Sequence, residues 1–354
     1  RPIWVRKWKI PKFGPSSKLP DPFVSDPVTR SFLQTMSFEN PRVVIVGGGG
    51  MGGLFGGLLS EGGLNVTLVD TWREQVETIM ANGLRIVGEG GERTVSIKAT
   101  VDGGEIKEAD VVFFQCKAPA NQEAAESVKH LFAGTTVAVS FQNGLGNEEA
   151  LADVLGAEHV LGGLTAQAGM VEAPGVVRNF GDLPTYLGEM EGGLSERATA
   201  IADALTRHGL PTYASSDIKR DIWKKLLGNI GLSAVSGSTD LRSIDIMAVP
   251  ELQMVVFRAL DEAAAVARTC GIDLDTGEAR EVLNKLTTPE GGGTGTSKSS
   301  LCVDLNNGRP TEVDYIYGSV ARLGRQHNVP TPTIDTLIGI IKGLESHHSL
   351  AIGG

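Results

Sequence analysis

Lys225, Asn229 and Ser233 stand four residues apart in a stretch that opens Ile222-Trp223-Lys224-Lys225-Leu226-Leu227-Gly228-Asn229. Side chains at that spacing share one face of a helix, so an ammonium, an amide and a hydroxyl form a single row. Ile222, Trp223, Leu226 and Leu227 imply that part of this helix is buried. A lysine held there loses hydration and titrates nearer neutral pH, as a proton-transferring group must. A surface lysine beside an asparagine produces the same K-x-x-x-N pattern, and on that pattern alone the surface reading prevails. Further on, Thr311-Glu312-Val313-Asp314-Tyr315-Ile316 puts two carboxylates in the first turn of a helix that Thr311 is placed to cap. Simple capping accounts for that pattern equally well. Ser299, Ser300 and Asp304 fall on a short helix ending at the turn Asn306-Asn307-Gly308. If that turn folds the helices together, Ser300 and Glu312 face one cleft.

A second constellation suits phosphate binding. Val43-Val44-Ile45-Val46 reads as a buried parallel strand, and Gly47-x-Gly49-x-x-Gly52 follows it at the opening of an apolar helix. Gly47 permits a sharp turn, Gly49 lets the backbone approach a pyrophosphate, and Gly52 lets helix and strand pack closely. The helix start, with Gly50 and Met51, offers unpaired amides and a positive dipole end. A second strand, Asn65 to Val69, ends in Asp70. A carboxylate there accepts from the ribose hydroxyls and repels a 2′-phosphate, which favours NAD. Thr71 and Arg73 follow, and an arginine rescues phosphate binding, so NADP stays open.

The elements that position these groups divide the chain. Alternating strand and helix patterns run through Ala109–Lys117, Asn121–Leu131 and Thr136–Phe141, placing Lys117 and Asn143 at strand ends on the cofactor side. Gly83–Val87 and Arg93–Thr100, joined by Glu89-Gly90-Gly91, resemble an inserted hairpin. Strand-like pieces over 160–190 are expected to complete the sheet, Ser195–His208 to cover it, and Pro211–Ser215 to be its last strand. From Asp217 on, apolar residues keep helical spacing over 217–235, 244–270, 276–286, 298–305, 311–327 and 333–344. The expected fold is therefore α/β, a Rossmann-type doubly wound sheet domain (41–216) followed by an all-helical domain (217–348). Glu290 to Thr296 is a glycine-rich loop candidate. Residues 1–40 read as a basic, proline-rich extension, with Met36 as an alternative start; the first thirty-five residues hold seven basic residues against two acidic.

Composition bounds the function. A formal charge of −10 argues against nucleic acid as the main partner. No apolar run is long enough for a membrane span. Cys116, Cys270 and Cys302 are scattered and outside C-x-x-C spacing, as free thiols of a cytoplasmic protein would be, with no metal site expected.

In order, Gly47-x-Gly49-x-x-Gly52, Cys116-Lys117-Ala118, Gln142-Asn143-Gly144, Trp223-Lys224-Lys225-Leu226 with Asn229, and Ser299-Ser300-x-x-x-Asp304 leading to Gly308-Arg309-Pro310-Thr311-Glu312-Val313-Asp314 resemble the ketopantoate reductase family. The resemblance spans about Arg42 to Leu344. It implies a Rossmann-type domain, a helical domain and an active site between them. It makes Lys225 the general acid, with Glu312 positioning it and Asn143 beside the nicotinamide. Lys117 would line the cofactor side, and Asn229, Ser233 and Ser300 would hold the substrate. None of the six histidines falls in a matched motif. Two departures stand out. Asp70 occupies the place where NADPH-using members commonly carry a basic residue, and Ser233 stands where they commonly carry asparagine. The expected activity is NAD(P)-dependent reduction of a 2-oxo acid. A relative acting on another 2-hydroxy acid with NAD competes with it, as do a β-hydroxyacid dehydrogenase or imine reductase and, outside catalysis, a cofactor sensor. The expected partner is a small 2-oxo or 2-hydroxy acid, with a homodimer as an open option.

Overall fold

The computed structural model describes residues 38–287 and 298–352. The basic extension up to residue 37 and the glycine-rich loop at 290–296 lie outside the described residues. Those described form two compact units, 38–222 and 223–352.

The first unit alternates strand and helix. β1 (Val43–Val46), α1 (Gly50–Glu61), β2 (Val66–Val69), α2 (Arg73–Asn82), β3 (Leu84–Gly88), β4 (Arg93–Val95) and β5 (Lys98–Thr100) come first. Then follow β6 (Val111–Phe114), α3 (Asn121–Val128), β7 (Val137–Ser140), α4 (Asn147–Leu155) and β8 (Val160–Thr165). β9 (Gly169–Ala173), β10 (Val176–Asn179), β11 (Thr185–Glu189), α5 (Glu196–Arg207) and β12 (Thr212–Ala214) complete it. The main sheet has the order β12-β11-β8-β7-β6-β1-β2-β5. From β5 to β8 every pairing is parallel, and β11 runs antiparallel to β8. The central strands β1, β6 and β7 are buried along their whole length, as continuous apolar runs covered on both faces must be. On one face Phe55, Phe113 and Phe141 meet edge to face with ring centroids 5.1–6.4 Å apart. On the other, Val44, Val112 and Phe114 pack with residues of α3 and α4 such as Ala125 and Leu151.

Two sequence expectations about the sheet need correction here. Arg93–Thr100 is not one arm of a hairpin. β4 pairs antiparallel with β3, whereas β5 crosses to the main sheet and pairs parallel with β2. The 160–190 stretch likewise splits. β8 and β11 extend the main sheet, while β9 and β10 join β3 and β4 in a second sheet of order β4-β3-β10-β9. Finally, α4 had no counterpart in the sequence reading, because its small, acidic residues weaken the apolar signal.

The second unit is helical. α6 (Ile218–Thr239) starts in the first unit and continues into the second, followed by α7 (Ser243–Met247), α8 (Pro250–Thr269), α9 (Thr276–Leu286), α10 (Ser300–Asn306), α11 (Val313–Gln326) and α12 (Pro332–Ile352). The stretch read as one helix over 244–270 is two, because Pro250 lacks the amide to continue α7 and instead opens α8 at its first turn. α8 supplies the apolar stripe Val256, Leu260, Ala263, Ala264 and Ala267, and packs against α11 and α12. Among the described residues no helix is long and apolar enough to cross a membrane.

Candidate active site

The glycine turn sits where the main sheet changes winding direction, between β1 and β6, the place where open α/β sheets bind ligands. Gly47 has φ +103°, and a Cβ there would lie 2.4 Å from the Cys116 amide nitrogen. A Cβ on Gly52 would lie 1.8 Å from the Gly47 carbonyl oxygen, so helix and turn touch backbone to backbone. Gly49 differs, since a Cβ built on it meets nothing within 4 Å. The turn is thus closed on its protein side and open at Gly49. No side chain caps α1, which leaves its first-turn amides to an outside acceptor. This cradle fits a dinucleotide pyrophosphate. Gly50 packs against Gly169 of β9, and Met51 lies partly buried against the core.

Asp70, at the tip of β2, accepts from the amides of Gly48 (2.6 Å) and Trp72 (2.8 Å). Its carboxylate is therefore fixed beside the turn. Gln75 of α2 is fully buried and was not singled out in the sequence. Its Nε2 donates to the Gly48 carbonyl (3.0 Å) and its Oε1 accepts from the Gly175 amide (2.7 Å), clamping the turn to the loop between β9 and β10.

A chain of buried amides supports the ends of β6 and β7. Gln142 donates to the Cys116 carbonyl (2.7 Å) and to Asn121 Oδ1 (2.6 Å); Asn121 donates to Asn147 Oδ1 (2.9 Å), and Asn147 donates to the Asn143 carbonyl (3.0 Å). This network fixes the backbone on which Lys117, exposed, and Asn143, half-buried, are carried. Of its members the Gln142-Asn143-Gly144 run and Cys116 were recognisable beforehand; Asn121 and Asn147 carry no sequence mark. Behind them Glu148 is buried against the Ser140 hydroxyl, and burial pushes its carboxyl up to about 8.

In the second unit, Lys225, Asn229 and Ser233 lie on α6 among the buried Trp223, Leu226, Leu227 and Ile230. Burial of the ammonium drives the Lys225 pKa down to about 8, while the Glu312 carboxylate pulls it upward. Glu312 occupies the N-cap position of α11 with no capping bond from its own side chain, and the capping expected of Thr311 is made from one residue earlier. The Thr311 hydroxyl donates to Glu345 (2.7 Å) and accepts from the Val313 amide (3.3 Å), so α12 holds the start of α11 from behind. Ser300 is exposed at the start of α10. Its neighbour Ser299 makes the tie to α6, its hydroxyl donating to the Ser233 carbonyl (3.1 Å).

The strand order and the glycine turn at the winding reversal, in a chain that continues into a helical unit, define a Rossmann-type dinucleotide-binding protein. Residues 43–192 match the family model for Ketopantoate reductase PanE/ApbA, and residues 217–345 match that for its C-terminal part. A 2-dehydropantoate 2-reductase of Halobacterium salinarum is 30% identical over 305 residues, covering 85% of this chain and 98% of the relative. Among solved structures, a D-mandelate dehydrogenase with NADH and anilino(oxo)acetate superimposes with a TM-score of 0.82 at 27% identity, over 87% of this chain and 99% of that one. A ketopantoate reductase-like structure from Ralstonia solanacearum gives a TM-score of 0.79 at 30% identity, over 88% and 99% of the two chains. This chain belongs to the ketopantoate reductase family, and is accordingly an oxidoreductase.

Proposed function

We propose that the protein reduces a 2-oxo acid to its 2-hydroxy acid with NADH, Lys225 acting as the general acid. The observation that carries this reading is the place of Lys225 on α6, its ammonium desolvated among Trp223, Leu226, Leu227 and Ile230 with the Glu312 carboxylate acting on it from the start of α11. When bound, the nicotinamide dinucleotide supplies the hydride. Gly47, Gly49, Gly50, Met51 and Gly52 would hold its pyrophosphate, Asp70 its ribose, and Lys117 and Asn143 would line its reactive end. Lys225 delivers a proton to the substrate's carbonyl oxygen, Glu312 orients the ammonium, and Asn229, Ser233 and Ser300 bind the acid's polar groups.

NADH is favoured over NADPH because the Asp70 carboxylate, fixed against the turn, repels a 2′-phosphate. Arg73 is directed instead toward Glu77, 3.9 Å away on the next turn of α2. A second reading concerns substrate size. The short Ser233 side chain and the likeness to a D-mandelate dehydrogenase favour a 2-oxo acid with a bulkier group than ketopantoate carries.

A matrix of NADH and NADPH against ketopantoate and 2-oxo acids of increasing bulk, read by nicotinamide absorbance, tests both points. The expected result is faster turnover with NADH, and loss of about 10²- to 10⁴-fold in Lys225→Ala. Near-normal turnover in that variant rejects the acid, and an NADPH preference rejects the role given to Asp70.

A further inference from the structure

Tyr317 on α11 is fully buried, and its hydroxyl enters the backbone of α6. It accepts from the Ala234 amide (2.8 Å) and directs its own hydrogen toward the carbonyls of Ile230 (2.8 Å) and Asn229 (3.0 Å). Ala234 N–H and Ile230 C=O are four residues apart, the two groups that a regular helix joins directly. A phenol oxygen that accepts from that amide and donates to that carbonyl competes with the direct bond between them, and a side chain reaching into the ladder in this way is one of the few things that can alter a helix's path. Burial keeps the phenol far above its ordinary range, so the hydroxyl always carries the proton it donates.

The place of this insertion matters. Lys225 lies above it, Asn229 supplies one of its acceptors, and Ser233 directly precedes its donor. α11 therefore acts on α6 twice, through Glu312 on Lys225 and through Tyr317 on the turn that separates Asn229 from Ser233. Ser299 holds the same turn from α10 through the Ser233 carbonyl. Nothing about a buried tyrosine in the run Val313-Asp314-Tyr315-Ile316-Tyr317 marks it in the sequence as more than core.

We infer that Tyr317 is a positioning residue that sets the offset between Asn229 and Ser233 and so determines which 2-oxo acids fit. This rests on the reading of α6 as the substrate-binding helix. Without the hydroxyl, Ala234 and Ile230 are left to bond only each other, and the turn that carries Ser233 shifts relative to Asn229. The chemistry of Lys225, one turn before Asn229, stays in place.

The test compares unmodified enzyme with Tyr317→Phe across the 2-oxo acid series. The expected result is a KM for the best acid raised about three- to tenfold, the effect of one displaced hydrogen bond, with kcat and the KM for NADH little changed. The ratio of kcat/KM between small and bulky acids shifts, and hydrogen exchange changes at the Ala234 amide. A role in folding alone lowers all acids alike, so an unchanged ratio in a folded variant overturns the inference. Ser299→Ala, which frees the same turn from the other side, is expected to shift the ratio as well and guards against a Tyr317→Phe chain that fails to fold. Should Lys225→Ala keep full turnover while Tyr317→Phe shifts the ratio, the general acid is rejected and the positioning residue stands. Should the unmodified enzyme reduce no 2-oxo acid, both fall.

Discussion

As the proposed general acid, Lys225 can donate a proton only while it holds one, and with a pKa of about 8 it loses that proton just above neutrality. Reduction is therefore expected to fall as pH rises through about 8, and oxidation of the 2-hydroxy acid, which needs the neutral amine, to fall as pH drops through the same value. Glu312 pulls this pKa upward, so Glu312→Gln is expected to move the limb to lower pH. A profile of kcat/KM against pH for the two proteins checks both signs. The desolvation of Lys225 was legible from Ile222, Trp223, Leu226 and Leu227. Its closeness to Glu312 came only through the family resemblance, because the two residues lie on separate helices and no spacing rule joins them.

Elements hold these residues by contacts that local patterns do not encode. The glycine turn was recognisable from three glycines and a strand, yet its rigidity comes from Gln75, whose two bonds reach Gly48 and Gly175. Gln75→Met keeps the volume but leaves a buried carbonyl and a buried amide unsatisfied. That is expected to cost about 2–4 kcal/mol in urea unfolding and to weaken NADH binding. A loss below ~0.5 kcal/mol would reject the clamp. The strands themselves were mostly visible as apolar runs. Which sheet each joined was not, since β4 and β5 lie only two residues apart and a period-two pattern reads the same in either partner.

At the scale of the whole molecule, Glu148 ties stability to pH. Its carboxyl stays protonated in the folded protein up to about 8, whereas unfolded it ionises near 4.5. Between those values the folded form holds the extra proton, so stability declines as pH rises from about 4.5 to about 8. Glu148→Gln removes this slope. The variant is expected to exceed the unmodified protein above pH 8 by an amount on the order of a few kcal/mol, with the gap closing toward pH 5. Thermal unfolding at pH 5, 7 and 9 measures it, and parallel curves would refute it. The two-part layout was legible at this scale because periodicity changes from strand to helix near residue 217. The second sheet was not, because β3 and β4 meet β9 and β10 across four intervening strands of the main sheet, β5 to β8.

That second sheet also imposes an order in time. Gly50 rests against Gly169, and β3 can add β10 only after residue 179 exists. At roughly 5–20 residues per second, a growing chain waits several seconds on the ribosome between finishing β4 and receiving its partners. Through that interval the glycine turn lacks one wall and β3 shows a bare edge, a stage of biosynthesis at which a chaperone has something to protect.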